Sequence, residues 1–237
     1  MMTRAELLAW IQGDAELNQL LTLAHEALDE DPGHNLDHAL RVALWTLRLG
    51  GAAINPREGV AAALMHDLVN LPKDSPKRHL ASELSAEKAG PHLKRAGFDD
   101  AACLRIQHAI RDHSFSRGAR PEGPLASALQ DADRLEALGA IGVFRNISTG
   151  TRLGAQYFHA SDPWAEQRPL DDKAYSLDHF FVKLLGLPAT MLTAAGRKEA
   201  TRRAQVLLQI IDALAEELGV PFESSSLIDS LRGAQGD

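Results

Sequence analysis

The residue pair His66-Asp67 is the feature of this chain that most clearly predicts chemistry. The apolar run VAAALM precedes the pair and Leu68 follows it. A buried polar side chain needs a hydrogen-bond partner, and a buried charge needs a counter-ion or a metal. A divalent cation would satisfy both side chains, so the pair predicts a metal site if other segments supply further ligands.

Two other segments place residues of ligand type on helical apolar stripes. In GHNLDHALRVALWTLRLG, His38 shares a face with Val42 and Trp45 through spacings of four and seven. In SALQDADRLEALGAIG, Asp133 follows Leu129 by four residues. Taken alone, an inward histidine is usually a core residue, and Asp133 is more often a capping or salt-bridging acid. Together with the His-Asp pair, these residues favour a shared metal site.

The order of these residues resembles that in the HD-domain metal-dependent phosphohydrolases. The resemblance extends from about residue 34 to about residue 218 and includes HSFSRGARPEGPLASALQDADRLEALGAIGVFR and DHFFVKLLGLPATMLTAAGRKEATRRA. These strings are similar to segments of small single-domain bacterial HD hydrolases. The resemblance implies an all-α fold, a divalent metal and hydrolysis of a phosphorus–oxygen bond; some relatives are nucleotide pyrophosphohydrolases. The implied metal ligands are His38, His66, Asp67 and Asp133.

The proposed ligand set constrains the metal. Two imidazoles and two carboxylates suit Mn, Fe, Co, Ni or Zn and tolerate Mg, whereas metals that prefer thiolate ligands are excluded. Four protein ligands on an octahedral ion leave two positions, one for water and one for a phosphoryl oxygen. A bound ion would lower the pKa of the water and neutralise phosphoryl charge. The family resemblance favours Mn.

Two further histidines, His108 and His113, flank the string AIRD near a predicted helix end. In HD enzymes with two metals, histidines of this region bind the second ion, but a phosphate-contacting or proton-donating role is favoured here. His108 follows Leu104 by four residues on an apolar stripe, so it is the better catalytic candidate beside Asp67.

A basic segment, NLPKDSPKRH, follows the His-Asp pair directly. Three cations within six residues suit a polyphosphate, although such runs are usually solvated turns. Lys73 is the first choice because Pro72 fixes the turn before it. His34 either faces the substrate or lies in a loop, and Asp37 fits a helix N-cap. The predicted substrate contacts are His34, Lys73, Lys77, Arg78, His113 and Arg134.

Apolar spacing is helical nearly everywhere, and no convincing strand of period two occurs. We therefore expect an all-α helical bundle of about nine to eleven helices in one domain. The aromatic residues of the long loop, Trp164 among them, either stack on a base, close a dimer interface or anchor the loop. The predicted parts of the domain, which spans 1–220, are N-terminal helices 4–28, a metal-binding core 34–153, a long loop 154–172 and C-terminal helices 173–219, followed by a flexible tail 221–237.

Composition limits the class of protein. The 237 residues suffice for a substantial core, and no apolar run approaches the roughly 20 residues that span a bilayer. The single cysteine, Cys103, excludes an internal disulfide and fits a reducing cytosol; its helical apolar surroundings predict a core position. A net charge of −7 argues against a nucleic-acid polymer as partner but not against a small anionic substrate. A homodimer remains open.

The favoured function is metal-dependent phosphohydrolysis of a nucleotide, specifically pyrophosphohydrolysis of a (deoxy)nucleoside triphosphate by a metal-activated water. A phosphomonoesterase acting on nucleoside monophosphates is the nearest alternative. Two alternatives come from other classes: a di-iron HD-fold oxygenase and a non-catalytic nucleotide-binding regulator. The sequence has no nucleophile elbow, phosphate-binding P-loop or dinucleotide fingerprint that would favour other chemistry.

Overall fold

The computed structural model describes residues 2–28, 35–71, 77–114, 117–118 and 120–222, with the side chain of Arg78 outside the description. Within these ranges the chain forms ten α-helices and no β-strand, which confirms the predicted all-α fold. An isolated bridge joins Gln156 and Tyr175. None of the described helices has both the length and the apolar character needed to cross a membrane.

The helices are numbered in chain order. They are α1 (Arg4–Gly13), α2 (Ala15–Ala27), α3 (Leu36–Gly50), α4 (Pro56–Met65), α5 (Ala81–Arg95), α6 (Asp100–Asp112), α7 (Gly123–Leu135), α8 (Gly139–Arg152), α9 (Asp178–Val182) and α10 (Ala194–Leu218). Short 3-10 segments occur at Gly51–Ala53, Arg78–Leu80 and Leu184–Thr190.

The chain forms two compact units that divide between Asp133 and Arg134. The first unit contains α1 to α6 and most of α7, and the second contains α8 to α10. The single domain over 1–220 stays a prediction, because compactness alone does not show whether a unit folds by itself.

Short polar side chains determine where several helices begin. Thr3 and Glu6 form a capping box at α1, and Asp14 caps α2. At α3 the cap is Asn35, whose Oδ1 accepts a hydrogen bond from the backbone N–H of His38 at 3.1 Å. The expectation that Asp37 is the N-cap is therefore wrong, because Asp37 lies inside the first turn and pairs with Arg4.

Helix α4 is central to the first unit. Eight of its ten residues are buried, so it lacks the polar face of a surface helix. It packs against α3, α2, α5 and α6. The buried carboxylate of Glu58 is compensated by two hydrogen bonds from Arg105, at 3.0 and 2.6 Å. Because α4 is enclosed, the polar pair that follows its last residue lies next to the core.

Cys103 is buried in α6, as predicted.

The second unit contains a long irregular segment between α8 and α9. It extends from 153 to 177, past the predicted end of the loop at 172. Trp164 anchors it, because its indole N–H donates to the carbonyl of Val220 at 3.1 Å and its ring contacts Phe222. Arg168 also binds the fully buried carboxylate of Asp178 through two hydrogen bonds. Of the three alternatives for the aromatic residues, anchoring the loop holds for Trp164.

The C-terminal helix ends as its sequence predicts. α10 stops at Leu218, and Gly219 adopts the left-handed conformation, with φ of 65°, that favours glycine at this position. Most of the predicted tail, residues 223–237, lies outside the described part of the chain.

Candidate metal centre

The pair His66-Asp67 follows the last residue of α4 instead of lying within the helix. The shared face of Val60, Leu64 and Asp67 predicts a helix that includes the pair and stops at Pro72, but α4 ends at Met65. The imidazole Nδ1 of His66 donates to the carbonyl of Ala63 at 2.7 Å. That carbonyl is the acceptor that the N–H of Asp67 would use in a continuing helix, so the side chain competes with the backbone and favours the turn.

Four side chains from three parts of the first unit converge beside this turn. The Nε2 atom of His38, on α3, lies 3.2 Å from Nε2 of His66, 3.9 Å from Oδ2 of Asp67 and 3.5 Å from Oδ1 of Asp133. Nε2 of His66 lies 3.4 Å from Oδ2 of Asp67 and 4.0 Å from Oδ1 of Asp133, which is on α7. Both imidazoles are buried, whereas the two carboxylates are partly exposed.

These distances fit a common cation. Ligand atoms about 2.1 Å from an octahedral ion lie about 3.0 Å apart when adjacent and about 4.2 Å apart when opposite. The five separations range from 3.2 to 4.0 Å. His38, His66 and Asp67 form a group that could hold a metal ion, and Asp133 approaches both histidines of this group.

The tautomer of His66 suits metal binding. Its Nδ1 must carry the hydrogen, because the carbonyl of Ala63 can only accept a hydrogen bond. In the neutral imidazole, Nε2 then carries the lone pair, and Nε2 is the atom that faces the other three side chains. A hydrogen bond of this kind also orients a metal-binding histidine.

The charge of Asp133 is favoured by its neighbours. Burial raises the pKa of this carboxyl, but the nearby imidazoles of His38, His66 and His113 lower it by more, so the pKa lies below its usual range. Asp133 is therefore an ionised carboxylate near neutral pH and a suitable ligand for a divalent cation.

His113 extends the site on the other side of Asp67. It is buried, its Nε2 lies 3.8 Å from Oδ1 of Asp67, and its ring meets that of His66 edge to face. Nδ1 donates to the carbonyl of Ile110 at 2.6 Å. Burial, followed by the charge of His66, lowers the pKa of His113, although Asp133 and Asp67 oppose the shift. The neutral ring offers a lone pair at Nε2, which suits accepting a hydrogen bond and does not suit donating one to a phosphate.

Comparison with known proteins identifies the family. The HD domain model matches residues 35–138, which include all four converging side chains. The uncharacterized protein YpgQ of Bacillus subtilis is 30% identical over 203 residues, covering 83% of this chain and 91% of YpgQ. The chain belongs to the HD-domain family.

Solved structures agree with this assignment. The crystal structure of B. subtilis YpgQ in complex with ADP has a TM-score of 0.65 and 25% identity, covering 86% of this chain and 95% of YpgQ. An HD-superfamily hydrolase from Bacillus thuringiensis has a TM-score of 0.66 and 27% identity, covering 86% of this chain and 97% of its own. The HD-domain chain is accordingly a metal-dependent phosphohydrolase.

The two histidines that flank AIRD differ in burial. The expected apolar stripe through Leu104 and His108 is wrong, because Leu104 is 56% exposed and His108 is also exposed. Ile106, Ile110 and His113 form the buried stripe instead, with steps of four and three residues. This spacing is the signal by which the sequence could have indicated His113. A catalytic role for His108 stays a prediction that the site geometry does not support.

The predicted substrate contacts are described only in part. His34 and Lys73 lie outside the described residues, as does the side chain of Arg78. Lys77 is exposed. Arg134, in the second unit, donates from its guanidinium to the carbonyl of Thr190 at 2.9 Å. The substrate roles of these residues remain predictions.

An ion-pair network that the sequence analysis missed lies beside His113. Arg111 donates to both carboxylate oxygens of Asp112, at 2.8 and 2.7 Å, and Nε of Arg117 lies 3.5 Å from Asp112. Arg117 also pairs with Glu83 on α5. Gln130 on α7 donates to the backbone carbonyl of Asp112 at 3.3 Å. These contacts connect the end of α6 to the helix that carries Asp133.

Proposed function

We propose that this HD-domain chain is a cytosolic pyrophosphohydrolase of (deoxy)nucleoside triphosphates. The proposed metal ligands are His38, His66, Asp67 and Asp133, and Mn²⁺ is the preferred ion. The observation that carries the proposal is that, in an HD-domain fold, two imidazole nitrogens lie 3.2 Å apart and each lies 3.4 to 4.0 Å from oxygens of the two carboxylates. Two open positions on a six-coordinate ion would remain for water and a phosphoryl oxygen.

When bound, a divalent ion lowers the pKa of a water molecule and neutralises charge on the phosphoryl group. The protein residues would orient the metal ligands and supply a proton acceptor. Ala63 holds His66 in the tautomer that faces the site. Nε2 of His113 lies 3.8 Å from Asp67, and in this proposal it accepts a hydrogen bond from a water molecule beside that carboxylate. On this geometry His113 is a better candidate than His108 for a proton acceptor.

A nucleotide substrate is supported by one relative and by one segment of the sequence. The B. subtilis YpgQ structure contains ADP. In this chain the segment with Lys73, Lys77 and Arg78 follows the His-Asp pair within twelve residues and supplies the positive charge that phosphates require. The choice of a triphosphate and of pyrophosphate release follows the resemblance to nucleotide pyrophosphohydrolases.

The test is a panel of nucleoside mono-, di- and triphosphates incubated with Mn²⁺, Mg²⁺, Co²⁺, Ni²⁺ or Zn²⁺. Free phosphate and pyrophosphate are measured separately. We expect pyrophosphate and a nucleoside monophosphate from triphosphates, with the highest rate in Mn²⁺. Stepwise release of free phosphate would instead establish a phosphomonoesterase. If no nucleotide is hydrolysed with any of the five ions, the proposed function is wrong.

Elemental analysis of the purified protein distinguishes hydrolase from oxygenase. One divalent ion per chain is expected from the four-ligand set. Two irons per chain, with consumption of oxygen, would favour the di-iron alternative over the hydrolase.

A further inference from the structure

Ser85 is a fully buried polar residue in the second turn of α5. Serine is a mediocre residue for a helix interior, and a buried hydroxyl costs free energy unless it is hydrogen-bonded. Its partners are not on its own helix. The hydroxyl accepts the backbone N–H of Val69 at 3.0 Å and lies 3.5 Å from the carbonyl of the same residue, to which it donates. One side chain thus binds both backbone groups of Val69.

Val69 belongs to the turn that carries Asp67. The turn leaves α4 at Met65, and Asp67 lies midway between that helix end and Val69. Lys88, one turn after Ser85 on α5, donates to the carbonyl of Leu68 at 3.2 Å. Two consecutive residues immediately after Asp67 are therefore attached to α5. On the other side of Asp67, the hydrogen bond from His66 to Ala63 attaches the turn to α4.

We propose that Ser85 is a positioning residue, whose hydroxyl holds the turn so that Asp67 meets His38 and His66 at distances suited to a cation. This inference rests on the proposed metal site. Backbone groups outside regular helices have no repeating partners, so their side-chain partners determine the path of the chain. A ligand held by such contacts binds metal more tightly than a mobile one, and losing an outer-shell partner typically weakens metal affinity about 10- to 100-fold.

The chain provides a matched control. Ser82 lies one turn earlier on α5, is also buried, and donates its hydroxyl to a backbone carbonyl, that of Arg111, at 2.8 Å. Its partner is on α6 and not on the turn of Asp67. Ser82→Ala and Ser85→Ala therefore remove the same atoms from the same helix, but only Ser85→Ala releases the turn.

The experiment measures the affinity of each folded variant for Mn²⁺ alone, by calorimetry or by electron paramagnetic resonance of free Mn²⁺, without nucleotide. We expect Ser85→Ala to weaken affinity about tenfold and Ser82→Ala to stay within about twofold of the unmodified chain. Equal affinities for the two variants would overturn the proposal, as would a failure of the unmodified chain to bind Mn²⁺.

A second variant keeps the test decisive if Ser85→Ala does not fold. Lys88→Met removes a cation from an exposed position and deletes the hydrogen bond to Leu68. Loss of a positive charge would by itself strengthen binding of Mn²⁺. The positioning role predicts the opposite sign, a weaker affinity, and a stronger affinity in Lys88→Met would contradict it. A chain that bound Mn²⁺ in this pattern but hydrolysed no nucleotide would overturn the proposed function and leave this inference intact.

Discussion

The substitution Asp67→Asn tests whether this carboxylate binds a metal ion or only stabilises the folded protein. Asp67 and asparagine have nearly the same shape, so the change removes a negative charge without creating a cavity. The carboxylate lies 3.4 Å from His66 and 3.8 Å from His113, and its side chain is 22% exposed. Hard divalent cations prefer charged carboxylate oxygens, so the amide is a weaker ligand.

The size of the effect follows from binding linkage. A ligand that binds only the folded state stabilises it by about 2.7 kcal/mol when its concentration is 100 times Kd. For a chain of 237 residues this corresponds to a rise in Tm of about 5 to 11 °C. If losing one ligand weakens affinity about 100-fold, the same Mn²⁺ concentration contributes only about 0.4 kcal/mol and raises Tm by about 1 °C.

The assay is thermal unfolding in EDTA and in excess Mn²⁺. Without metal we expect Asp67→Asn to lie within about 1 kcal/mol of the unmodified chain, as is usual for a partly exposed charge. The matched control is Asp37→Asn, which makes the same change at an exposed aspartate paired with Arg4 and should keep the full Mn²⁺ shift. A full Mn²⁺ shift in Asp67→Asn would refute the ligand assignment. A large loss of stability in EDTA would show that the carboxylate is structural.

Two further predictions concern stability. Hydrogen bonds from Arg111 lower the pKa of Asp112, with burial opposing them, so its stabilising contribution is complete above the ordinary pKa of 3.8 and is lost as pH falls below that value. Asp112→Asn should therefore lower the urea midpoint more at about pH 7 than at about pH 3, and an equal loss at both would contradict this reasoning. In α8, a Cβ on Gly142 would overlap the carbonyl group of Ala137, which as backbone cannot easily move. Gly142→Ala should cost about 1–3 kcal/mol in urea unfolding, whereas Gly186→Ala, whose Cβ meets nothing within 4 Å, serves as the unaffected control.

Much of the fold could be predicted because local chemistry acts within a few residues. The apolar stripe of α10 and its terminal Gly219 predict where that helix ends, and the ending is observed. The inward position of His38 likewise follows from its spacing to Val42, and both are buried. Prediction failed where two local interactions compete. α4 stops at Met65 because the side chain of His66 takes a backbone acceptor, and apolar spacing alone does not report this.

In the candidate site, too, some features follow from local sequence and others depend on contacts between distant residues. Leu104 is apolar in type but exposed in the structure, so a stripe drawn through it favoured His108 over His113. Which face of α6 is buried depends on its contacts with α4 and α5, and these helices come from other parts of the chain. No short-range pattern indicates that Ser85 binds the turn of Asp67, because the partners are 16 residues apart and belong to different elements.

The sequence by itself predicted the helical class of this protein, because short-range periodicity reports helices, and its resemblance to the HD-domain family implied the proposed metal ligands and their order along the chain. Only the tertiary structure decided that the Nε2 atoms of His38 and His66 lie 3.2 Å apart and 3.4 to 4.0 Å from carboxylate oxygens of Asp67 and Asp133. The reason is physical: such distances are set by how helices pack their buried faces, which is a property of contacts between residues far apart in the chain.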